Sequence, residues 1–279
     1  MRVAITGSKG QLGRALMDSW QEDELLGIDL PEQDITDLMA LDARLRGFRP
    51  EVVIHCAAMT DVDGCERDPD AAYRINVLGT RNVAVAAERV GAALIYISTD
   101  YVFDGAKTEP YGELDEPNPL SVYGRTKWLG EEMVRHLCPR HYVVRVAWLY
   151  DRGPRNFVAT VLRLADERDE VKMVTDEIGS PTYAPDVAAA LRRLVCLPAY
   201  GTYHLPNAGI CSRYAWAEEI LRLAGRRDDL RLIPSENYQR AARVPKRVEL
   251  RNFFGAEIGI TMRPWQEALA ARFADGDHG

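Results

Sequence analysis

Residues 5–13 read Ile5-Thr6-Gly7-Ser8-Lys9-Gly10-Gln11-Leu12-Gly13 and place a glycine at every third position from Gly7. The apolar run Arg2–Thr6 precedes them, and the helical pattern Gln11–Trp20 follows. In a strand–turn–helix unit, such glycines permit the tight turn, the close approach of backbone to a pyrophosphate, and close packing of helix on strand. The free N–H groups of a helix N-terminus attract phosphates. The stretch therefore predicts a dinucleotide-binding loop rather than a plain glycine-containing turn.

Short apolar runs alternate with patterns of helical period over residues 1–150, which is typical of an α/β sheet. The predicted strands are Arg2–Thr6, Leu25–Asp29, Val52–Cys56, Ala93–Ser98 and Tyr142–Ala147. The predicted helices are Gln11–Trp20, Asp37–Arg46, Asp70–Val90 and Ser121–His136. Because the strands are apolar on both faces, the sheet is expected to be parallel and covered on both sides. The predicted fold class is α/β, with a doubly wound parallel Rossmann sheet and a smaller C-terminal α+β substrate domain.

The pattern is less regular after residue 150. Further elements are predicted at Asn156–Arg168, Pro185–Cys196, Thr202–Leu205, Ser212–Ala224 and Arg231–Pro234. Ser212 is a predicted N-cap, because its hydroxyl can accept from a free N–H of the first turn. We assign residues 1–150 and 180–205 to the dinucleotide-binding domain, and residues 151–179 and 206–279 to the substrate-binding domain.

Composition narrows the class of protein. The 279 residues are 47% hydrophobic and 28% charged, with a net charge of −7, as in ordinary globular domains. No long block of one charge indicates a nucleic-acid partner, and no apolar run of about 18 residues indicates a membrane span or signal peptide. The five cysteines lack a C-x-x-C pair and the five histidines lack metal-ligand spacing. We therefore expect a cytoplasmic protein with reduced thiols and no metal site.

Two residues give opposite indications about the cofactor. Asp29, at the end of the second predicted strand, can bind a ribose 2′-hydroxyl and repel a 2′-phosphate, which favours NADH. Lys9, in the glycine loop, can meet a 2′-phosphate, which favours NADPH. Both cofactors stay open, and Asp29 has the alternative role of capping the loop. Asp34 and Ile35 are expected to flank the adenine.

Two further strand ends are predicted to approach the cofactor and the substrate. Small side chains at Ala57 and Ala58 leave room for the cofactor's ribose, although a tightly packed strand end would also explain them. Ser98 and Thr99 end the fourth strand, and a hydroxyl there can donate to a substrate carbonyl. Since strand residues alternate between faces, we expect one of the two hydroxyls to face the cleft.

Tyr123 and Lys127 are four residues apart on a predicted helix and therefore share a face. A free tyrosine has a pKa of about 10 and is a poor acid or base at neutral pH. A nearby ammonium group is expected to stabilise the phenolate and lower that pKa. A lone Y-x-x-x-K pair often occurs by chance, but the glycine loop and the Ser98-Thr99 pair upstream favour an acid–base tyrosine.

Taken together, these motifs resemble the extended short-chain dehydrogenase/reductases. The matching segments are TGSKGQLG (6–13), AAMTDVDGCE (57–66), STDYVFDG (98–105), VYGRTKWLGE (122–131), RVAWLY (145–150), GSPTYAPDVA (179–188) and PWQEAL (264–269). The resemblance implies a catalytic set of Thr99, Tyr123 and Lys127, and cofactor contacts from Gly7, Lys9, Gly10, Gln11, Leu12, Gly13, Asp29, Asp34, Ile35, Ala57 and Ala58 as well as from Tyr123 and Lys127. It further implies substrate contacts from Thr60, Val62, Tyr101 and Trp148.

The resemblance also implies an activity: NADPH- or NADH-dependent reduction of the 4-keto group of a nucleotide-linked deoxysugar, foremost dTDP-4-dehydro-L-rhamnose. Related sugar 4,6-dehydratases carry T-D-E where this chain has Thr99-Asp100-Tyr101, and the missing acid favours simple reduction. Two alternatives stay open, namely a different nucleotide-sugar epimerase or reductase, and a non-catalytic NADP-binding regulatory subunit. The expected oligomeric state is a monomer or a homodimer.

Overall fold

The computed structural model describes residues 1–236 and 238–274, so the last five residues of the predicted substrate domain lie outside the described residues. The strands are β1 Arg2–Thr6, β2 Glu24–Ile28, β3 Val52–His55, β4 Ala93–Thr99, β5 His141–Val146, β6 Leu149–Tyr150, β7 Glu170–Val174, β8 Ile178–Gly179, β9 Thr182–Tyr183, β10 Gly201–His204, β11 Cys211–Ser212 and β12 Arg231–Ser235. The α-helices are α1 Gln11–Ser19, α2 Leu38–Phe48, α3 Val62–Arg67, α4 Pro69–Tyr73, α5 Thr80–Val90, α6 Val122–Leu137, α7 Phe157–Glu167, α8 Ala184–Leu194, α9 Arg213–Leu223, α10 Phe254–Glu257 and α11 Trp265–Ala274.

Six strands form one parallel sheet in the order β10-β5-β4-β3-β1-β2. Helices α1 and α8 cover one face around Leu16 and Leu191. Helices α2, α5 and α6 cover the other face around Leu45 and Val83. The chain reverses its direction of winding beside β1, so the carboxyl ends of β1 and β3 border the crevice where such sheets bind ligands. The predicted doubly wound α/β sheet is confirmed.

A second hydrophobic cluster lies beyond the sheet. Helices α7, α9 and α11 pack around the fully buried Trp216, with Met173 of β7 and Tyr183 of β9. The short strands pair as β7 with β12, β8 with β11 and β6 with β9. By contrast, Phe254 of α10 and the nearby Ile260 pack on the core of the large sheet. The chain after residue 206 therefore contributes to both cores.

The predicted bounds of the large-sheet strands agree with the structure to within one residue, and Ser212 caps α9 by accepting from the Ala215 N–H over 3.0 Å. The single helix predicted at Asp70–Val90 is wrong in detail. It consists of α4, a π-helical turn Arg74–Gly79 and α5. The short helix α3 and the two-residue strands were not predicted, because segments this short have no measurable period.

Among the described residues, no helix is long and apolar enough to cross a membrane. In the same part of the chain, acidic, histidine and cysteine side chains form no cluster that could hold a metal ion. All five cysteines are free thiols.

Candidate active site

The glycine loop has the geometry that its spacing predicts. Gly7 has a φ of +69°, a left-handed conformation that glycine adopts without strain. A Cβ on Gly13 would lie 2.1 Å from the Gly7 carbonyl oxygen, so α1 can contact the loop this closely only with glycine there. The Leu12 side chain is buried in the core, and Gln11 Oε1 is buried with no hydrogen-bond partner. The loop, the free N–H groups of α1 and this unpaired oxygen fit a bound dinucleotide.

At the end of the second strand, Asp29 has the capping role considered for it. Its Oδ2 accepts the Lys9 N–H and its Oδ1 accepts the Leu30 N–H, each over 2.8 Å. The carboxylate therefore caps the loop and keeps further lone pairs free for a ribose hydroxyl. Lys9 Nζ donates to the Leu30 carbonyl over 2.9 Å and to Glu32 over 2.7 Å. The two residues that indicate opposite cofactors are therefore hydrogen-bonded to each other.

The residues expected near the adenine and the ribose follow the same edge of the sheet. Asp34 Oδ1 accepts the Thr36 N–H over 2.8 Å. Ile35 is buried, and its Cδ1 occupies the space that a Cβ on Gly79 would need. Ala57 is packed against Gly7, where a Cβ would come within 2.6 Å of the Ala57 nitrogen. This contact is made by the Ala57 backbone, so it explains the glycine at position 7 and not the small side chain of Ala57.

A cavity of about 530 Å³ lies beyond the carboxyl ends of β3, β4 and β5. It is large enough for a nucleotide-sized ligand. The predicted site residues that line it are Gln11, Ala58, Thr60, Val62, Thr99, Tyr101, Tyr123, Lys127 and Trp148. Gly7, Lys9, Gly10, Leu12, Gly13, Asp29, Asp34, Ile35 and Ala57 lie outside the lining, along the glycine loop and the neighbouring strand ends.

The two hydroxyls that end β4 have different partners. Ser98 also lines the cavity, but its Oγ donates to the buried Glu131 over 2.6 Å. The Thr99 hydroxyl donates to Asp100 Oδ1 over 2.9 Å, and its proximity lowers the pKa of the Tyr123 phenol. The alternation of the strand therefore directs Thr99 toward the tyrosine, as the sequence predicts for one of the pair.

Helix α6 holds Tyr123 and Lys127 on the cavity. Ser121 caps it by accepting from the Gly124 N–H over 3.1 Å. A Cβ on Gly124 would lie 2.2 Å from the Tyr101 carbonyl oxygen, so this glycine allows the first turn of α6 to pack against the end of β4. Both functional side chains are almost fully buried.

Burial changes the protonation of both residues. It raises the pKa of Tyr123, against the Thr99 hydrogen bond that lowers it. The expected lowering of the tyrosine pKa by Lys127 is therefore wrong for the protein by itself, because loss of hydration disfavours the phenolate more. Burial also lowers the pKa of Lys127 to about 7, and the Glu131 carboxylate opposes this shift. Lys127 Nζ donates to the Ile97 carbonyl over 2.7 Å and lies 4.2 Å from the centre of the Tyr96 ring.

The structure adds residues that the sequence did not single out. Arg213, the first residue of α9, lies flat on Trp148, with its guanidinium carbon 3.5 Å from the ring centre. Trp148 has a φ of +44°, and its ring contacts Gly179, where a Cβ would come within 2.6 Å of the indole. Arg213 and Arg240 lie 3.8 and 3.7 Å from the Glu177 carboxylate. The sequence does not reveal this contact, because nothing near an arginine at the start of a helix indicates which distant residues it will meet.

Asn76 is a second residue near the site that the sequence did not single out. It lies in the π-helical turn, fully buried, where its amide accepts the Met59 N–H over 2.8 Å and donates to Thr126 over 3.0 Å. It thus connects the loop before Thr60 to the catalytic helix. A π-helical turn inside a helix often accompanies a functional site, but the local sequence does not reveal it.

The chain is similar to known proteins over nearly its whole length. Residues 1–277 match the family described as the RmlD substrate binding domain. The dTDP-4-dehydrorhamnose reductase of Mycobacterium tuberculosis is 39% identical over 98% of this chain and 92% of its own length. The crystal structure of dTDP-4-dehydrorhamnose reductase from Bacillus anthracis in complex with NADP is 40% identical, with a TM-score of 0.95 over 99% of both chains. The structure of the Clostridium acetobutylicum enzyme is 42% identical, with a TM-score of 0.93 over 98% of both chains.

The similarity extends over the glycine loop, the cavity and the C-terminal helices alike. The chain therefore belongs to the RmlD substrate-binding-domain family, within the extended short-chain dehydrogenase/reductases.

Proposed function

We propose that this protein reduces the 4-keto group of a nucleotide-linked deoxysugar with NADPH or NADH, converting dTDP-4-dehydro-L-rhamnose to dTDP-L-rhamnose. One observation supports this most directly. Thr99, Tyr123 and Lys127 line a single cavity that Gln11 of the glycine loop also lines. Relatives that match nearly the whole chain carry the name of this reductase.

Each catalytic residue has a distinct role in this proposal. The glycine loop, Asp29 and Lys127 would hold the cofactor, which would supply a hydride for the carbonyl carbon when bound. Tyr123 gives its proton to the resulting oxyanion, and burial keeps the phenol protonated at neutral pH, as a proton donor needs to be. Thr99 orients the carbonyl oxygen and the phenol, and Lys127 binds the nicotinamide ribose.

The charged residues of the cavity lining suit a nucleotide diphosphate. Four of the charged residues in the lining are cationic, namely Lys127, Lys172, Arg213 and Arg240, whereas two are acidic, Asp100 and Glu177. Guanidinium groups bind phosphate oxygens in a fixed fork. We assign the diphosphate to Arg213 and Arg240, and the sugar to Thr60, Val62, Tyr101 and Trp148.

The same arrangement suggests that different parts of the chain bind the cofactor and the sugar nucleotide. We infer that residues 1–150 and 180–205 bind the cofactor, while residues 151–179 and 206–279 bind most of the sugar nucleotide. We also infer a cytoplasmic location, which suits the five free cysteines. A monomer or a homodimer is expected, and light scattering of the purified protein distinguishes the two.

The test is the loss of NADPH or NADH absorbance with enzymatically generated dTDP-4-dehydro-L-rhamnose. Wild-type protein is expected to oxidise at least one cofactor. Tyr123→Phe removes the proton donor but keeps the ring, so turnover is expected to fall by about 10²–10⁴-fold with cofactor affinity near that of wild type. Retained turnover in Tyr123→Phe contradicts the assignment of the proton donor.

The matched control is Tyr238→Phe, since Tyr238 also lines the cavity but is largely exposed. It is expected to keep turnover. Interconversion of sugars without net cofactor oxidation would favour an epimerase, and tight NADP binding without turnover would favour a regulatory subunit.

A further inference from the structure

Asp100 is a buried acid beside the reacting groups. It follows Thr99 directly, in the short 3-10 turn Asp100–Val102 that ends β4. It lines the cavity but is only 4% exposed. None of the steps proposed for Thr99, Tyr123 and Lys127 uses it.

The Thr99 hydroxyl has two acceptors but only one hydrogen. In this structure the hydrogen goes to Asp100 Oδ1 at 2.9 Å, and the second acceptor is the nearby Tyr123 oxygen on the same cavity wall, whose pKa Thr99 lowers. The Thr99 oxygen itself accepts the Tyr101 N–H over 3.2 Å. When Asp100 is ionised, the hydrogen points to the carboxylate. When Asp100 is protonated, its own hydrogen can go to Thr99 and the Thr99 hydrogen is free for Tyr123.

Tyr123 must regain a proton after each reduction, although it is 8% exposed. We propose that Asp100 supplies this proton through the Thr99 hydroxyl. After Tyr123 protonates the sugar oxyanion, the Thr99 O–H bond breaks and a new O–H bond forms on Tyr123. The Asp100 O–H bond then breaks and restores the Thr99 hydroxyl. Asp100, left as a carboxylate on the cavity wall, takes a proton from water once the product has left.

The energetics suit this direction of transfer. Burial raises the pKa of Asp100 to about 6, close enough to neutral pH for the group to hold and release a proton. The Tyr123 phenolate is a much stronger base, because burial raises its pKa further. The groups that face the Asp100 carboxyl are Thr99, Tyr101, Tyr123 and Arg213.

Arg213 couples this acid to the substrate. Its charge lowers the pKa of Asp100, and Glu177 and Arg240 face the same guanidinium. A diphosphate on Arg213, as assigned under the proposed function, would offset that charge and favour the protonated form of Asp100. Binding of the sugar nucleotide would therefore protonate Asp100 before the reduction takes place.

The test compares the first turnover with later ones. Asp100→Asn keeps the shape and can still donate a hydrogen bond to Thr99, but it has no proton to release. With the keto sugar and cofactor at saturation, rapid mixing is expected to show a burst of one cofactor oxidised per active site at a rate within about twofold of wild type. The steady-state rate that follows is expected to be at least about tenfold lower than in wild type.

Equal losses in the burst and the steady state, or no loss in either, would overturn the proposal, since a structural role lowers both together. The control is Asp104→Asn, because Asp104 lies in the same loop but bonds Tyr111 and Asn118 outside the cavity. It is expected to leave the ratio of the two rates unchanged.

If Asp100→Asn does not fold, Asp100→Ala opens space beside Thr99 for an added acid. Formate is then expected to restore the steady-state rate without changing the burst, and no response to formate would overturn the proposal.

The role of Asp100 rests on the proposed function, but different results would contradict the two proposals. If wild type oxidises no cofactor with the keto sugar, the function is wrong. If wild type turns over normally and the Asp100 variants lose burst rate and steady-state rate equally, only the role of Asp100 is wrong.

Discussion

At the scale of single residues, burial decides which protons the active site holds. Tyr123 and Lys127 share a helix face, and their spacing predicts that they act together. Their pKa values both move toward the neutral forms, upward for the phenol and downward for the ammonium. The spacing does not reveal the depth of burial, so the pairing could be predicted from the sequence and the direction of the tyrosine shift could not.

The low pKa of Lys127 predicts a pH dependence of cofactor binding. The ammonium form is the one that binds the ribose in our proposal, and it is lost as the pH rises through about 7. Affinity for NADH is therefore expected to weaken above that pH, by at most about tenfold per pH unit, the limit for loss of one proton. Titration of NADH fluorescence from pH 6 to pH 9 measures it.

NADH is the right probe because a 2′-phosphate, like other phosphate monoesters, titrates near pH 6. The control is Lys127→Met, whose affinity is expected to be lower and independent of pH. An equally flat profile in wild type would show that Lys127 keeps its charge throughout, or that the charge does not contribute to binding.

At the scale of elements, much of the glycine loop could be predicted, because Gly7 and Gly13 each have a local cause. Gly7 needs a positive φ, and Gly13 has to contact the Gly7 carbonyl. The π-helical turn Arg74–Gly79 could not be predicted. Its residues keep a helical pattern, and the partners of its buried Asn76, Met59 and Thr126, lie elsewhere in the chain.

Gly13→Ala tests the close packing of α1. The new Cβ would lie 2.1 Å from the Gly7 oxygen and 2.7 Å from Ser8 Cα, both backbone atoms that cannot rotate away. The helix has to shift, so we expect a loss of about 1–3 kcal/mol in the free energy of unfolding and weaker cofactor binding. Urea unfolding and a cofactor titration measure the two effects.

The matched control is Gly47→Ala, because Gly47 lies near the end of α2 with nothing within 4 Å of the new Cβ. It is expected to keep cofactor affinity and to gain at most about 1 kcal/mol in stability. Unchanged cofactor binding in Gly13→Ala would contradict the account of the loop.

At the scale of the whole molecule, the cavity lies between the sheet and the second hydrophobic cluster. Strand β4 contributes Thr99 and helix α6 contributes Tyr123 and Lys127. The position of Thr99 at the carboxyl end of a parallel strand could be predicted. The second cluster contributes Arg213, and neighbouring loops contribute Glu177 and Arg240. These could not be predicted, because they meet through the packing of Trp148 on Gly179 and on Trp216 rather than through a local motif.

Hydride transfer to the sugar is the central claim, and the fate of the hydride tests it most directly. The protein is mixed with the keto sugar nucleotide and cofactor deuterated at the transferring position of the nicotinamide, and the product is analysed by mass spectrometry and NMR. We predict one deuterium at C4 of the sugar for each cofactor oxidised. A sugar product without deuterium, formed while the cofactor is not consumed, would contradict the account and identify an epimerase on the same scaffold.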